Sequence, residues 1–309
     1  MMELERIRKA LTRDELAVYS LRALYNEYGY GLYKMSKFEE YDFYARNKDF
    51  LVSENIITFT DTDGRLLALK PDVTLSIIKN SKVPEGGELK LCYNENVYRV
   101  GGGTGTFKEI MQVGLEHIGR VDSDTIIEVM TLAKKSLDLI SDSNVLEVSN
   151  LDIAHDVLAH FGLTKESKAR IYSYLGRKSV CDILSVCTEE GLDASARELI
   201  SSLATVYGST DKVLPLLDSF KLNERLAELV DGFADVIRTL SDRGVEVVVD
   251  FSLMNDMNYY NGVAFKGFVD GIPVGILCGG EYKNLMNKMK RKESAIGFAV
   301  YLDELEKLP

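Results

Sequence analysis

Residues 93–119 read YNENVYRVGGGTGTFKEIMQVGLEHIG, and the fold turns on how this stretch is parsed. Two runs rich in β-branched, aromatic and aliphatic residues flank a loop made almost wholly of glycine, the pattern of an antiparallel hairpin. Side chains alternate across a strand with period two. Ile110, Gln112, Gly114 and Glu116 therefore share one face, and Met111, Val113, Leu115 and His117 share the other. The second face is an apolar back. The first holds a glutamine, a gap and a carboxylate, and two readings stand. One is a half-exposed strand with a solvated polar face, which periodicity alone favours. The other is the floor of a site for a small polar ligand.

Working outward, Ile56–Thr60 and Arg65–Leu69 form a second hairpin around Asp61-Thr62-Asp63-Gly64. Between the two hairpins lies Lys70-Pro71-Asp72-Val73-Thr74, where Pro71 suits a helix's first turn. That helix runs to about Asn80, and its N-terminal amides with Asp72 and Thr74 offer a polar site. An ordinary Asp/Thr cap accounts for the same residues. Further upstream, Thr12 and Glu15 form a capping box. The helix it opens carries Leu16, Tyr19, Leu24, Tyr25 and Tyr28 as an apolar stripe and stops at Gly29. Strand character follows over Tyr30–Phe38.

Downstream, Asp122–Ile140 reads as an amphipathic helix and Val145–Val148 as a strand. Residues from about 152 to 242 then read as almost wholly helical, with apolar residues of Leu222–Leu240 at helical spacing and no catalytic constellation. Strands return at Glu246–Phe251, Val263–Val269 and Ile272–Leu277, the last two flanking the two-residue hairpin signal Asp270-Gly271. Cys278-Gly279-Gly280 leaves room for a backbone or a ligand to come close. Ala295–Leu305 begins as a strand and ends as a helix. This order predicts an α+β domain over 1–309: an antiparallel sheet flanked by helices and interrupted by the helical insertion.

Composition narrows the function. The 309 residues are 46% hydrophobic and 28% charged, as in soluble globular chains. A net charge of −11 argues against a surface built to neutralise many phosphates. Cys92, Cys181, Cys187 and Cys278 lack metal-ligand spacing. His155 and His160 stand about 140° apart around a helix and do not converge on a metal. Neither a metal nor a cofactor is expected. The N-terminus is too charged for a signal peptide, and no apolar run reaches transmembrane length, so a cytoplasmic protein without membrane contact is expected.

Five pieces, in order, resemble the catalytic core of histidyl-tRNA synthetase, a class II aminoacyl-tRNA synthetase. They are Lys70-Pro71-Asp72-Val73-Thr74, Tyr98-Arg99 through Gln112-Val113-Gly114-Leu115-Glu116, Tyr259-Tyr260-Asn261, Cys278-Gly279-Gly280 with Tyr282, and Gly297-Phe298-Ala299. The resemblance implies the class II fold and a histidine pocket. Asp72 and Thr74 would hold the α-amino group, and Gln112, Glu116, Tyr259 and Tyr260 would line the space for carboxylate and imidazole. The chemistry suits the ligand: a ring with two N–H groups needs acceptors, a carboxylate favours its protonated form, and tyrosines give apolar walls tipped with a hydroxyl.

The nucleotide half departs from the family. Arg99 of motif 2 is kept, but the acid two residues on is Gly101. The arginine that grips the ATP γ-phosphate in motif 3 is Glu304, the arginine before the paired tyrosines is Asn255, and a loop arginine is Lys108. A carboxylate facing phosphate would repel it by about 4 kcal/mol at 4 Å and an effective dielectric of 20. The chain also ends at Pro309, without an anticodon-reading domain, which implies no tRNA partner. A kept amino-acid pocket beside a dismantled ATP site is similar to the regulatory subunits of ATP phosphoribosyltransferase. Membership there implies a short-form catalytic partner that joins ATP to phosphoribosyl pyrophosphate, in the first step of histidine biosynthesis. It also implies feedback by histidine, through this pocket or an interface site, and a homodimer within a hetero-oligomer. The rival readings are a short histidine-adenylating ligase and a stand-alone histidine-binding protein.

Overall fold

A computed structural model describes residues 9–51, 55–100, 105–253 and 259–307. The strands are β1 (Gly31–Leu32), β2 (Phe38–Glu40), β3 (Thr58–Thr60), β4 (Leu66–Leu69), β5 (Leu89–Val100) and β6 (Phe107–Gly119). They continue as β7 (Asn144–Asn150), β8 (Tyr207–Ser209), β9 (Val248–Asp250), β10 (Asn261–Val269), β11 (Leu277–Glu281) and β12 (Ser294–Tyr301). The helices before β7 are α1 (Arg13–Glu27), α2 (Tyr41–Arg46), α3 (Val73–Asn80) and α4 (Ser123–Ile140).

Among the described residues nine strands form one sheet in the order β1-β5-β6-β12-β11-β10-β7-β9-β8, antiparallel except for the parallel pairs β1·β5 and β7·β9. A separate sheet pairs β2, β4 and β3. The opening hairpin is the long arm of the large sheet, with Tyr93 opposite Gly114 and Leu91 opposite Glu116. Behind it, Val113 and Leu115 join Met130, Val148, Phe265 and Phe298 in the main core, so the apolar face of β6 packs inward as the alternation predicts. In front, Tyr93, Val97 and Ile118 pack with Ile77, Tyr44 and Tyr282 in a second cluster. The polar face of β6 is thus enclosed between the sheet and α3.

Local chemistry sets the elements. Thr12 and Glu15 form the reciprocal capping box, a device whose loss typically costs about 1 kcal/mol. Asp72 caps α3 by accepting from the Leu75 amide at 2.8 Å. Pro71 therefore precedes the N-cap instead of occupying the first turn. Buried Glu39 of β2 accepts from Ser76, from Lys79 Nζ at 2.5 Å and from Asn80 at 3.0 Å, which ties the small sheet to α3.

Several expectations are corrected. In α1 the buried residues are Val18, Leu21 and Tyr25, while Tyr19 is 55% exposed. Of the expected stripe Tyr25 is buried and Leu16, Leu24 and Tyr28 are half-buried, so only Tyr19 falls outside it, and Val18 and Leu21 complete the buried face. Of Tyr30–Phe38, only β1 and the start of β2 pair as strand. The segment from Ile272 does not enter the sheet until Leu277. Pro273 has no N–H to give a ladder, and the chain loops before Ile276 N rejoins Gly267 O. The block between 151 and 242 is helical except for β8, which extends the large sheet through β9. Its helices α5 (Leu151–His160), α6 (Lys165–Leu175), α7 (Val180–Glu189), α8 (Ala194–Ser202), α9 (Thr210–Leu217) and α10 (Glu224–Asp242) share the main core. Among the described residues no helix is long and apolar enough to cross a membrane.

Candidate functional site

A cavity of about 560 Å³ opens on the front of the large sheet, between α3, β6, β12 and the segment after residue 258. Asp72, Thr74, Gln112, Glu116, Tyr259 and Tyr260 all line it, and so do Arg99 and Glu304. Lys108 does not; it is exposed near the far end of the hairpin. Gly101 and Asn255 lie outside the described residues.

Gln112 and Glu116 are 2% and 1% exposed, so the polar face of β6 is not a solvated one. Thr74 Oγ1 donates to Glu116 Oε1 at 2.6 Å, and Tyr282 OH donates to Glu116 Oε2 at 2.5 Å. The register of β12 on β6 sets Gly297 opposite Glu116. A Cβ at Gly297 would fall 1.9 Å from Glu116 Oε2, so only glycine leaves the carboxylate its place. Burial raises the Glu116 pKa to about 8; the Thr74 and Tyr282 bonds oppose this, and the nearby Asp72 charge adds to it. A cation placed against a carboxyl held in this way favours its ionised form and offsets the desolvation penalty.

Asp72 is committed on both oxygens. Oδ1 caps α3 and Oδ2 meets Arg99 Nη2 at 3.2 Å. Burial pushes its pKa up and the Arg99 charge works against the rise. Arg99 in turn is 7% exposed and spends its Nε on the Pro71 carbonyl at 2.6 Å. The motif 2 arginine is thus folded against Asp72 and Pro71. The cavity is also lined by Asp303 and Glu304, which follow β12, and by Lys266 of β10.

Sequence reasoning passed over Tyr282 as a site residue, and over Tyr93, Tyr301 and Lys266 as lining residues. Tyr301 was within reach of alternation, since Gly297, Ala299 and Tyr301 share a face opposite Glu116, Gly114 and Gln112. Tyr282 was not, because its contact with Glu116 spans 166 residues. Cys278-Gly279-Gly280 makes a close approach of a different kind from a ligand's. The space over Gly279 is taken by the Phe265 and Phe298 side chains and the Gly297 carbonyl. Among the described residues no cluster of His, Cys, Asp and Glu could hold a metal ion.

The family model for histidyl-tRNA synthetase matches residues 6–305. The chain belongs to that family. Similar curated proteins include the ATP phosphoribosyltransferase regulatory subunit of Acetivibrio thermocellus, 27% identical over 287 residues, covering 91% of this chain and 68% of the relative. The protein of the same name from Thermoanaerobacter pseudethanolicus is 29% identical over 289 residues, with 91% and 75% covered. Among solved structures, an ATP phosphoribosyltransferase regulatory subunit/histidyl-tRNA synthetase from Bacillus halodurans superposes with a TM-score of 0.84 at 22% identity, over 96% of this chain and 79% of that one. The ATP phosphoribosyl transferase (HisG:HisZ) complex from Thermotoga maritima gives 0.71 at 18% identity, over 93% and 96%. These likenesses place the histidyl-tRNA synthetase family chain in the class II α+β fold.

Proposed function

We infer that this chain is the non-catalytic regulatory subunit of ATP phosphoribosyltransferase in histidine biosynthesis. In this reading it binds histidine in the cavity on β6 and acts on a separate short-form catalytic subunit, as a homodimer within a hetero-oligomer and without tRNA. The observation that carries the reading is the asymmetry of one cavity. Its Glu116 end is a buried, hydrogen-bonded acceptor site suited to a cationic ring or ammonium. The same cavity is lined by Asp303 and by Glu304, the position at which the resemblance expects a phosphate-gripping arginine, and Arg99 is tied to Asp72. Arginine grips phosphate through a charge-assisted fork, and neither end of this cavity supplies a free one. The names of the similar curated proteins point the same way.

The deciding experiment is a reconstituted phosphoribosyltransferase assay with the short-form catalytic subunit. The reading expects activity to depend on this chain and to fall when histidine is added. Failure of the catalytic subunit to associate or to gain activity would overturn it. Histidine-dependent pyrophosphate exchange into ATP by this chain alone would establish the ligase reading in its place.

A further inference from the structure

The tyrosine wall of the cavity rests on an irregular start to β10. Asn261 pairs with Glu281, but the next pairing is Ala264 with Gly280, so Gly262 and Val263 are extra residues on one strand only. Such a bulge twists its strand and re-aims what precedes it, and here Tyr259 and Tyr260 precede it directly. Gly262 has φ +59°, a conformation that side-chain-bearing residues rarely adopt. Its missing Cβ would fall 2.3 Å from a Glu281 carboxylate oxygen.

An unpaired backbone N–H at such a site needs an acceptor. The Val263 amide donates to Glu281 Oε1 at 2.8 Å. The same corner is tied to α11 (Lys283–Lys288), where the Asn284 amide donates to Asn261 Oδ1 at 3.2 Å. Beyond it the Tyr260 ring lies over the adjacent residue of β11: a Cβ at Gly280 would fall 2.9 Å from Tyr260 Cδ1. Tyr260 is packed edge-on to Tyr259, with centroids 4.8 Å apart. Tyr259 stands 6.2 Å from Tyr282, the donor to Glu116. Glu281 does not itself line the cavity.

We propose that Glu281 is a positioning residue for the ligand cavity: its carboxylate, by accepting from Val263 N–H, fixes the Gly262 bulge and so sets Tyr259 and Tyr260 over the pocket. The bond needs an acceptor at this point and not a negative charge. Amide and acid should therefore serve alike, and a side chain without an oxygen should not. Burial of Glu281 holds its pKa up near about 7, with the Val263 bond opposing, which fits a group that works as an acceptor in either form.

The test compares Glu281→Gln, Glu281→Ala and Glu281→Met in the full chain by two readouts. The first is fluorine NMR of protein labelled with 3-fluorotyrosine, the Tyr260 resonance being assigned with Tyr260→Phe; this needs no ligand. The second is histidine affinity by calorimetry, which rests on the histidine reading above. The proposal expects the Tyr260 resonance to shift or broaden in the Ala and Met variants and to stay in place in the Gln variant. Histidine affinity should fall about tenfold or more in Ala and Met and change less than about twofold in Gln, the tenfold loss corresponding to about 1.4 kcal/mol. An unmoved Tyr260 resonance in Ala and Met overturns the proposal. So does a Gln variant as perturbed as Ala, or global loss of helical signal in Ala and Met, which would make Glu281 a residue of the fold. If the wild-type chain binds no histidine while the resonance moves as expected, the histidine reading fails and the positioning role stands.

Discussion

Titrating histidine affinity against pH tests how Glu116 works. In the free pocket, burial raises the Glu116 pKa to about 8, while an unperturbed imidazole titrates near ~6.5. Between those values the free partners carry one proton at the contact, on Glu116. The complex also carries one, shared between carboxylate and ring. No net proton moves, so affinity is flat. Below that window the free ring holds a second proton that must leave on binding. Above it, free Glu116 has lost its proton and one must be taken up. Each limb steepens toward tenfold per pH unit, about 1.36 kcal/mol. Affinity at pH ~9 should therefore lie roughly tenfold below the plateau, and at pH ~5.5 by a similar factor.

Calorimetry in buffers of different ionisation enthalpy counts those protons directly. Uptake should approach one on the alkaline limb, release should approach one on the acid limb, and the plateau should show neither. Glu116→Gln removes the titrating group, so the limb centred near 8 should vanish, leaving only what the ligand's own α-ammonium imposes. The plateau should drop by about 10–100-fold, the worth of a hydrogen bond to a charged group at roughly 1.5–3 kcal/mol. An affinity that rises steadily from neutral to alkaline pH would refute the ring contact, since it would mean that a permanent cation meets Glu116. An alkaline limb untouched by the Gln substitution would refute any part for Glu116.

Three further outcomes are expected. Because the folded pKa of Glu116 lies above its ordinary 4.5, the folded chain binds the extra proton between 4.5 and about 8. Ligand-free stability should fall as pH rises through that window, by at most about 5 kcal/mol. Glu116→Gln should flatten that dependence in urea titrations at pH 5 and 8, and an identical slope in both proteins would contradict it. Gly297→Ala places a Cβ against Glu116 Oε2 and the Leu115 carbonyl. It should cost about 1–3 kcal/mol of stability and abolish histidine binding in calorimetry. Glu304→Arg should raise affinity for ATP at least ~tenfold, given about 1.5–3 kcal/mol for a charge-assisted contact. It should restore no pyrophosphate exchange, because Arg99 stays bound to Asp72 and Pro71.

What the sequence disclosed follows a physical divide. The hairpin on β5 and β6, the Thr12 capping box and the Asp72 cap are local, and each is written in residues within a few positions of one another. The two sides of β6 followed from alternation, but the burial of both at Gln112 to Glu116 did not. Enclosing Gln112 and Glu116 takes α3 and β12, elements far away in the chain. Asp72 shows the limit most clearly. Cap and ligand contact were alternatives in the sequence; in the structure the cap and Arg99 take one oxygen each, and the side chain still lines the cavity. The bulge at Gly262 was invisible for the same reason, since its acceptor, Glu281, lies on the neighbouring strand.

A ligand changes a partner's activity only by binding two states unequally, and typical couplings are about 1–3 kcal/mol. The contacts around Glu116 are of that size. Thr74 stands on α3, whose far side is held by Glu39 of the small sheet through Ser76, Lys79 and Asn80. A cation arriving at Glu116 competes for the acceptor that Thr74 and Tyr282 now use, at about 1.5–3 kcal/mol per charged hydrogen bond. Loss or strengthening of the Thr74 bond therefore alters the hold on α3 by as much as a coupling requires. The small sheet carries exposed Phe38 and Phe59, packed edge to face at 5.5 Å. If the pocket binds histidine as proposed, one short helix and two sets of side-chain hydrogen bonds connect it to that surface. In the proposed reading the amino-acid end suits this role, because it keeps a buried carboxyl whose protonation and hydrogen-bond partners would both change when a cation is set against it.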